Sequence, residues 1–243
     1  MKILVPTDFS ECADFALSAA CQLAQVSPSE IKLLHVAVTP SDLSGVASDE
    51  SMTEDMRKNL LKDIKILLEE RSKYCHDSGV KIDTEYTHGK FIEEVLAIDE
   101  REDFDLVVMG SYGKSGKRDW FIGSNTQKLV RKLDKNVLVI KNPVEKLSFD
   151  KVLFPSNLTN NDKKAFLSFL DFIEPFDAKE VHLLAVNTGS WFTQPGPMML
   201  ELLEDFKALV DRYECHTHFK SDYSVEAGIR HFTEKYDVKL IGI

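Results

Sequence analysis

The chain has 243 residues, enough for one large domain or two small ones. It is 43% hydrophobic and 29% charged, which excludes a disordered chain, and its formal net charge of −10 argues against a general nucleic-acid binder, which needs a Lys or Arg at each phosphate contact. No apolar stretch is long enough to cross a membrane, Met1 leads straight into Lys2-Ile3-Leu4-Val5-Pro6 without a leader pattern, and Cys12, Cys21, Cys75 and Cys215 form no CxxC pair; the expectation is a cytoplasmic protein with free thiols.

Short β-branched runs alternate with longer helical patterns. Residues 2–5 read as a strand, 10–25 as an Ala-rich helix following Asp8 and Ser10, and 31–38 as a buried strand. Apolar positions Met56, Leu60, Ile64, Leu67 and Leu68 carry helical spacing through 52–77. A strand over 80–86, a short helix over 90–101 and the unbroken apolar run Leu106-Val107-Val108-Met109 come next; such a run suits a parallel sheet covered on both faces. A Gly-rich loop, a helix over 124–133 and a strand over 137–140 close the series. Strands alternating with helices predict βαβ units in a doubly wound parallel sheet.

The pattern then begins again. Lys151-Val152-Leu153-Phe154-Pro155-Ser156-Asn157 echoes Lys2-Ile3-Leu4-Val5-Pro6-Thr7-Asp8, Val181–Val186 echoes 32–36, and Tyr236–Gly242 echoes Phe104–Gly110. A period of roughly 145–150 residues means two domains rather than a solenoid. The expected domains are 1–142 and 150–243, joined near Asn142–Phe149. The second copy lacks a counterpart of 111–142.

The segment from Gly110 to Asn125 contains Gly110, Gly113, Gly116, Gly123 and Ser124, with Lys114, Lys117 and Arg118 among them. It leaves a strand and opens a helix, at the end of the sheet where α/β folds bind ligands. Glycines allow close backbone approach, and free amide groups at a helix start favour an anion. A P-loop is excluded, because no glycine lies five positions before Gly116 and Arg118 is not Ser or Thr. The GxGxxG and GxSxG spacings fail as well.

Gly110-x2-Gly113-x9-Gly123-Ser124 resembles the Gly-x2-Gly-x9-Gly-Ser/Thr loop of ATP-binding universal stress proteins, and Ile3-Leu4-Val5-Pro6-Thr7-Asp8 is similar to the family's opening strand. The resemblance implies a Rossmann-like α/β fold of the adenine-nucleotide α-hydrolase type, with strand order 3-2-1-4-5, twice in tandem. It implies ATP, with or without Mg2+, as ligand. Pro6, Thr7 and Asp8 would lie near adenosine and the backbone of Val36 at adenine. Met109, Gly110, Gly113, Lys114, Gly116, Gly123, Ser124 and Asn125 would hold ribose and phosphates. It further implies an intrachain pseudo-dimer of the two domains, a homodimer through the strand at 136–140, and a regulatory role. A ligand-free scaffold and a slow ATPase are the alternatives. Asn157 replaces the acid in the second copy, so no nucleotide is expected there.

Plainer readings stand beside these. Asp8 is also a suitable helix cap, and the loop cations also suit an ordinary surface. Cys215-His216-Thr217-His218 puts two histidines on one strand face, but no third ligand is evident, so zinc is not expected. Ser41–Thr53 and Thr188–Pro197 border the predicted pockets and read as lids.

Overall fold

The computed structural model describes residues 1–37, 54–111, 123–189 and 196–243. The chain divides into two compact units, Met1–Leu147 and Ser148–Ile243. The first contains β1 (Lys2–Thr7), α1 (Glu11–Val26), β2 (Glu30–Ala37), α2 (Glu54–Asp77), β3 (Lys81–His88), α3 (Phe91–Glu102), β4 (Leu106–Gly110), α4 (Ser124–Val130) and β5 (Asn136–Ile140). All of its strand pairs are parallel, in the order β3-β2-β1-β4-β5. The second contains β6 (Lys151–Pro155), α5 (Asn160–Ile173), β7 (Glu180–Asn187), α6 (Gly196–Lys207), β8 (Glu214–Ser221), α7 (Val225–Tyr236) and β9 (Leu240–Ile241), in the parallel order β8-β7-β6-β9. The second sheet thus holds the first four strands of the predicted order.

The central strands carry apolar residues on both faces because helices cover both. Leu106, Val107 and Val108 are essentially inaccessible. Leu4, Leu34, Val36, Val107 and Met109 pack with Val95 and Ile98 of α3 and Leu129 of α4. The Ala-rich face of α1 (Ala13, Ala16, Ala19, Ala20) lets that helix lie close to the sheet. Gln22 of α1 also pins the segment after β5: its amide donates to the Val144 carbonyl, and its oxygen accepts from Leu147 N.

The repeat is written in the backbone. Phe9 and Leu158, each just past its unit's first strand, have φ of 61° and 62°. Asp103 and Asp237 end α3 and α7 in the left-handed conformation, both at φ 54°. The register corrects one expected correspondence. Leu106 pairs with Ile3, and Leu240 with Val152, so Leu240 matches Leu106 and Gly242 matches Val108 rather than Gly110. Tyr236-Asp237 therefore answers Glu102-Asp103, two residues earlier than the sequence echo suggested. Asp105 has a different task, accepting the Lys2 amide at 2.8 Å to anchor the start of β1. The cysteines bring a second correction: Cys21 of α1 and Cys75 of α2, 54 residues apart with Cα atoms 5.7 Å apart, are joined in a disulfide, leaving Cys12 and Cys215 free. Helix-to-helix packing creates that pair, so spacing along the chain carries no sign of it.

Candidate functional site

The order β3-β2-β1-β4-β5 reverses direction between β1 and β4, which leaves a crevice beyond the carboxyl ends of those strands. After β1 the chain turns sharply. Thr7 Oγ1 accepts from Phe9 N at 3.0 Å, and Asp8 Oδ1 accepts from Ser10 N at 3.0 Å. Ser10, rather than Asp8, caps α1, its hydroxyl accepting from Ala13 N at 3.3 Å. Pro6 and Thr7 are buried, and Asp8 stays exposed at the rim.

Beside this turn stands a stack that the sequence did not reveal. The Phe9 ring lies on His35 with centroids 4.3 Å apart, and the Arg71 guanidinium sits 5.1 Å from the Phe9 centroid. Arg71 comes from α2, held by Asp14 at 2.9 Å and donating to the Phe9 carbonyl at 3.2 Å. His35 Nδ1 lies 2.8 Å from the Thr7 carbonyl; a carbonyl only accepts, so Nδ1 carries the proton. Burial pushes the His35 pKa below its ordinary value, which keeps the ring neutral.

β2 pairs with β1 as far as His35 opposite Thr7, so Val36 and Ala37 extend past the last paired residue of β1. Their main chain therefore borders the crevice, while the Val36 side chain is buried in the core. On the far side, Met109 is buried, and Gly110 meets the first turn of α1. A Cβ on Gly110 would stand 2.3 Å from the Cys12 carbonyl oxygen and 2.9 Å from Ala13 N. Gly110 is thus required by close backbone packing, a role separate from ligand contact.

Gly113, Lys114 and Gly116, with Lys117, Arg118, Trp120 and Phe121, lie outside the described residues, as does the expected lid at Ser41–Thr53. Both ends of the loop are defined. Ser111 is buried, its amide donates to the Ile140 carbonyl at 2.9 Å, and its Oγ accepts from Gly123 N at 3.1 Å. Ser111 and Gly123 therefore meet directly beyond β4. Ser124 and Asn125 follow, exposed, in the first turn of α4, which ends at Val130 rather than at 133.

The matching corner of the second unit is filled by its own carboxylate. Asp162 Oδ2 accepts from Ser156 Oγ (2.9 Å), Asn157 N (3.1 Å) and Thr159 N (3.3 Å), forming a capping box on α5. Burial raises the Asp162 pKa, but these hydrogen bonds outweigh it and leave the group below its ordinary value. Of the second expected lid, Gly196 and Pro197 begin α6. His216 and His218 do meet a third histidine, His182 of β7. Among the described residues no group of three or more His, Cys, Asp or Glu is placed to hold a metal ion, and no helix is long and apolar enough to cross a membrane.

A parallel, doubly wound sheet whose order reverses between β1 and β4 defines the first unit as a Rossmann-like α/β domain. Comparison with known proteins carries this further: the universal stress protein family model matches residues 1–141, and the chain belongs to that family. The universal stress protein MJ0577 of Methanocaldococcus jannaschii is 34% identical over 152 residues, 58% of this chain and 94% of that protein. YxiE of Bacillus subtilis is 30% identical over 145 residues, 58% of this chain and 98% of that one. A universal stress protein structure from Archaeoglobus fulgidus, 19% identical, covers 99% of this chain and 85% of its own with a TM-score of 0.72; it shares the fold across both units.

Proposed function

We propose that the first unit is an ATP-binding regulatory module of the stress response, and that ATP enters with or without Mg2+. The observation that carries this reading is the hydrogen bond from Gly123 N to Ser111 Oγ, which joins the two described ends of the Gly110-x2-Gly113-x9-Gly123-Ser124 motif beyond β4. In this reading the main chain of Val36 and Ala37 meets adenine, while Pro6, Thr7 and Asp8 border the nucleoside. Gly113, Lys114, Gly116, Gly123, Ser124 and Asn125 surround the phosphates. Backbone amide groups at helix starts and in glycine-rich turns attract anions without any added net positive charge. Asn157 stands where the first unit has Asp8, which supports a second unit that binds no nucleotide in this way.

Titration calorimetry of the intact chain with ATP, with and without Mg2+, tests the reading. Binding is expected, and Gly123→Val and Gly113→Val should each abolish it while leaving the folded spectrum intact. A wild-type chain giving no heat with either form of ATP would establish the ligand-free scaffold instead. Phosphate release should stay at background; sustained turnover removed by Asp8→Ala would make the protein an ATPase. The domain limits 1–142 and 150–243, the second unit as a degenerate copy of the first, a cytoplasmic setting and the intrachain pseudo-dimer belong to the same proposal. So does a homodimer through β5, whose position at the end of the first sheet supports it. Light scattering of Val139→Pro against wild type tests that contact, since proline removes a backbone donor from the strand.

A further inference from the structure

The paired registers superimpose the two units residue by residue. Lys2, Glu30 and Lys81 stand side by side on adjacent strands, as do Lys151, Glu180 and Glu214. Two residues further on, Lys32 faces Asp83 in the first unit, and His182 faces His216 in the second. Glu85 then corresponds to His218. Glu102, just before the left-handed Asp103, corresponds to Tyr236, just before the left-handed Asp237. The first unit fills these positions with an ionic cluster: Lys32 Nζ lies 2.7 Å from Asp83, 3.2 Å from Glu85 and 3.2 Å from Glu102. The second replaces all four charged groups with three imidazoles and a phenol.

The imidazoles are packed against one another. The His182 centroid is 5.1 Å from His216 and 5.3 Å from His218, and Phe232 and Tyr236 of α7 close over His182 and His218 at 4.7–5.6 Å. His182 Nδ1 and His218 Nε2 approach to 3.1 Å, a separation that holds one shared hydrogen but not two. His182 is 3% exposed, and its Nε2 has no hydrogen-bond partner, standing 3.5 Å from Glu180 Oε2.

We propose that His182 and His218, packed against His216, form a pH-sensitive latch: neutral, the pair seals α7 onto the second sheet, and protonating it releases that helix. Protonating both His182 and His218 sets two N–H groups against each other across their 3.1 Å contact and places like charges within one ring diameter. Glu180 favours a charged His182, but burial, His216 and Lys151 outweigh it, and no carboxylate offsets burial at His218. From β6 comes Lys151, from β7 Glu180, from β8 Glu214 (3.3 Å from His216 Nε2) and Lys220, and from α7 Lys235 and the Tyr236 phenol. Burial first, then His182, His216, Lys220 and Lys235, push the His218 pKa down to about 4; burial and His216 lower that of His182. Between the ordinary imidazole value of about 6.5 and that lower value the unfolded chain binds more protons than the folded one. The latch is therefore fully closed above about pH 6.5 and weakens as pH falls toward 4.

Hydrogen exchange of the intact chain provides the test, because α3 is an internal control: it occupies the same place over a cluster without histidine. After correction for the intrinsic rate, peptides from 225–236 should lose roughly tenfold protection between about pH 7.5 and pH 5, with solvent screening of the half-buried His218 included. Peptides from 91–102 should keep theirs. His218→Gln should flatten this pH response whatever its effect at neutral pH. His231→Gln, on α7 but paired with Asp222 before the helix rather than with the cluster, should leave it unchanged. Equal loss in both helices, or a full response in His218→Gln, overturns the proposal. Loss of protection at neutral pH on adding EDTA overturns it too, by making the cluster a metal site.

Discussion

Gly110 and Lys32 show how single residues in the first unit separate folding from binding. A methyl group at Gly110 runs into backbone, which cannot swing aside as a side chain does. Gly110→Ala should lower the unfolding free energy of the first unit by about 1–3 kcal/mol, the usual cost of overpacking, as read from its denaturant unfolding curve, whether or not ATP is present. Gly123→Val should affect ATP binding far more than folding. A loss of binding in Gly110→Ala alone would thus say nothing about ligand contact. Lys32 is the central cation of three carboxylates, so Lys32→Met leaves those charges facing one another. About 2 kcal/mol of destabilisation is expected, less than for a fully buried pair because Asp83 is largely exposed. The hydrogen bond from Lys32 holds Asp83, and chiefly that from Arg101 holds Glu102, below their ordinary values. Their contribution is complete above about pH 4.5 and is lost as pH falls through the folded values. Acid unfolding of the first unit should accordingly start at lower pH than release of α7, and Lys32→Met should reduce its steepness; circular dichroism against pH checks both.

Helices α1 and α2 act as a pair through Cys21 and Cys75. Denatured but unreduced protein should present two reactive thiols, from Cys12 and Cys215, and four after reduction, as counted with a thiol reagent. The bond closes a loop across 54 residues, for which chain entropy predicts about 4 kcal/mol of stabilisation, so reduction should lower the first unit's unfolding free energy by that order. Four thiols before reduction would rule the bond out. The helical faces themselves were legible: Ala13, Ala16, Ala19 and Ala20 mark the side of α1 that meets the sheet. What they face was not, because which helix lies beside α1 depends on strand order rather than on its own periodicity.

If both proposals hold, the first unit responds to nucleotide and the second to acidity. ATP at a hundred times its Kd should stabilise the first unit by about 2.7 kcal/mol, raising one calorimetric transition and leaving the other in place. Acidification to about pH 5 should do the reverse, lowering the second unit's transition first. Sequence by itself determined the alternation of strand and helix, the internal repeat, the glycine spacing after β4 and the family, since each is a local pattern carried by periodicity and turn chemistry. Only the tertiary structure decided that Phe9, His35 and Arg71 stack, that Cys21 meets Cys75, that three histidines replace an ionic cluster, and that the repeat is offset by two residues at β9. Those contacts are set by strand register and by the order β3-β2-β1-β4-β5, which bring together residues dozens of positions apart; no local pattern encodes that distance.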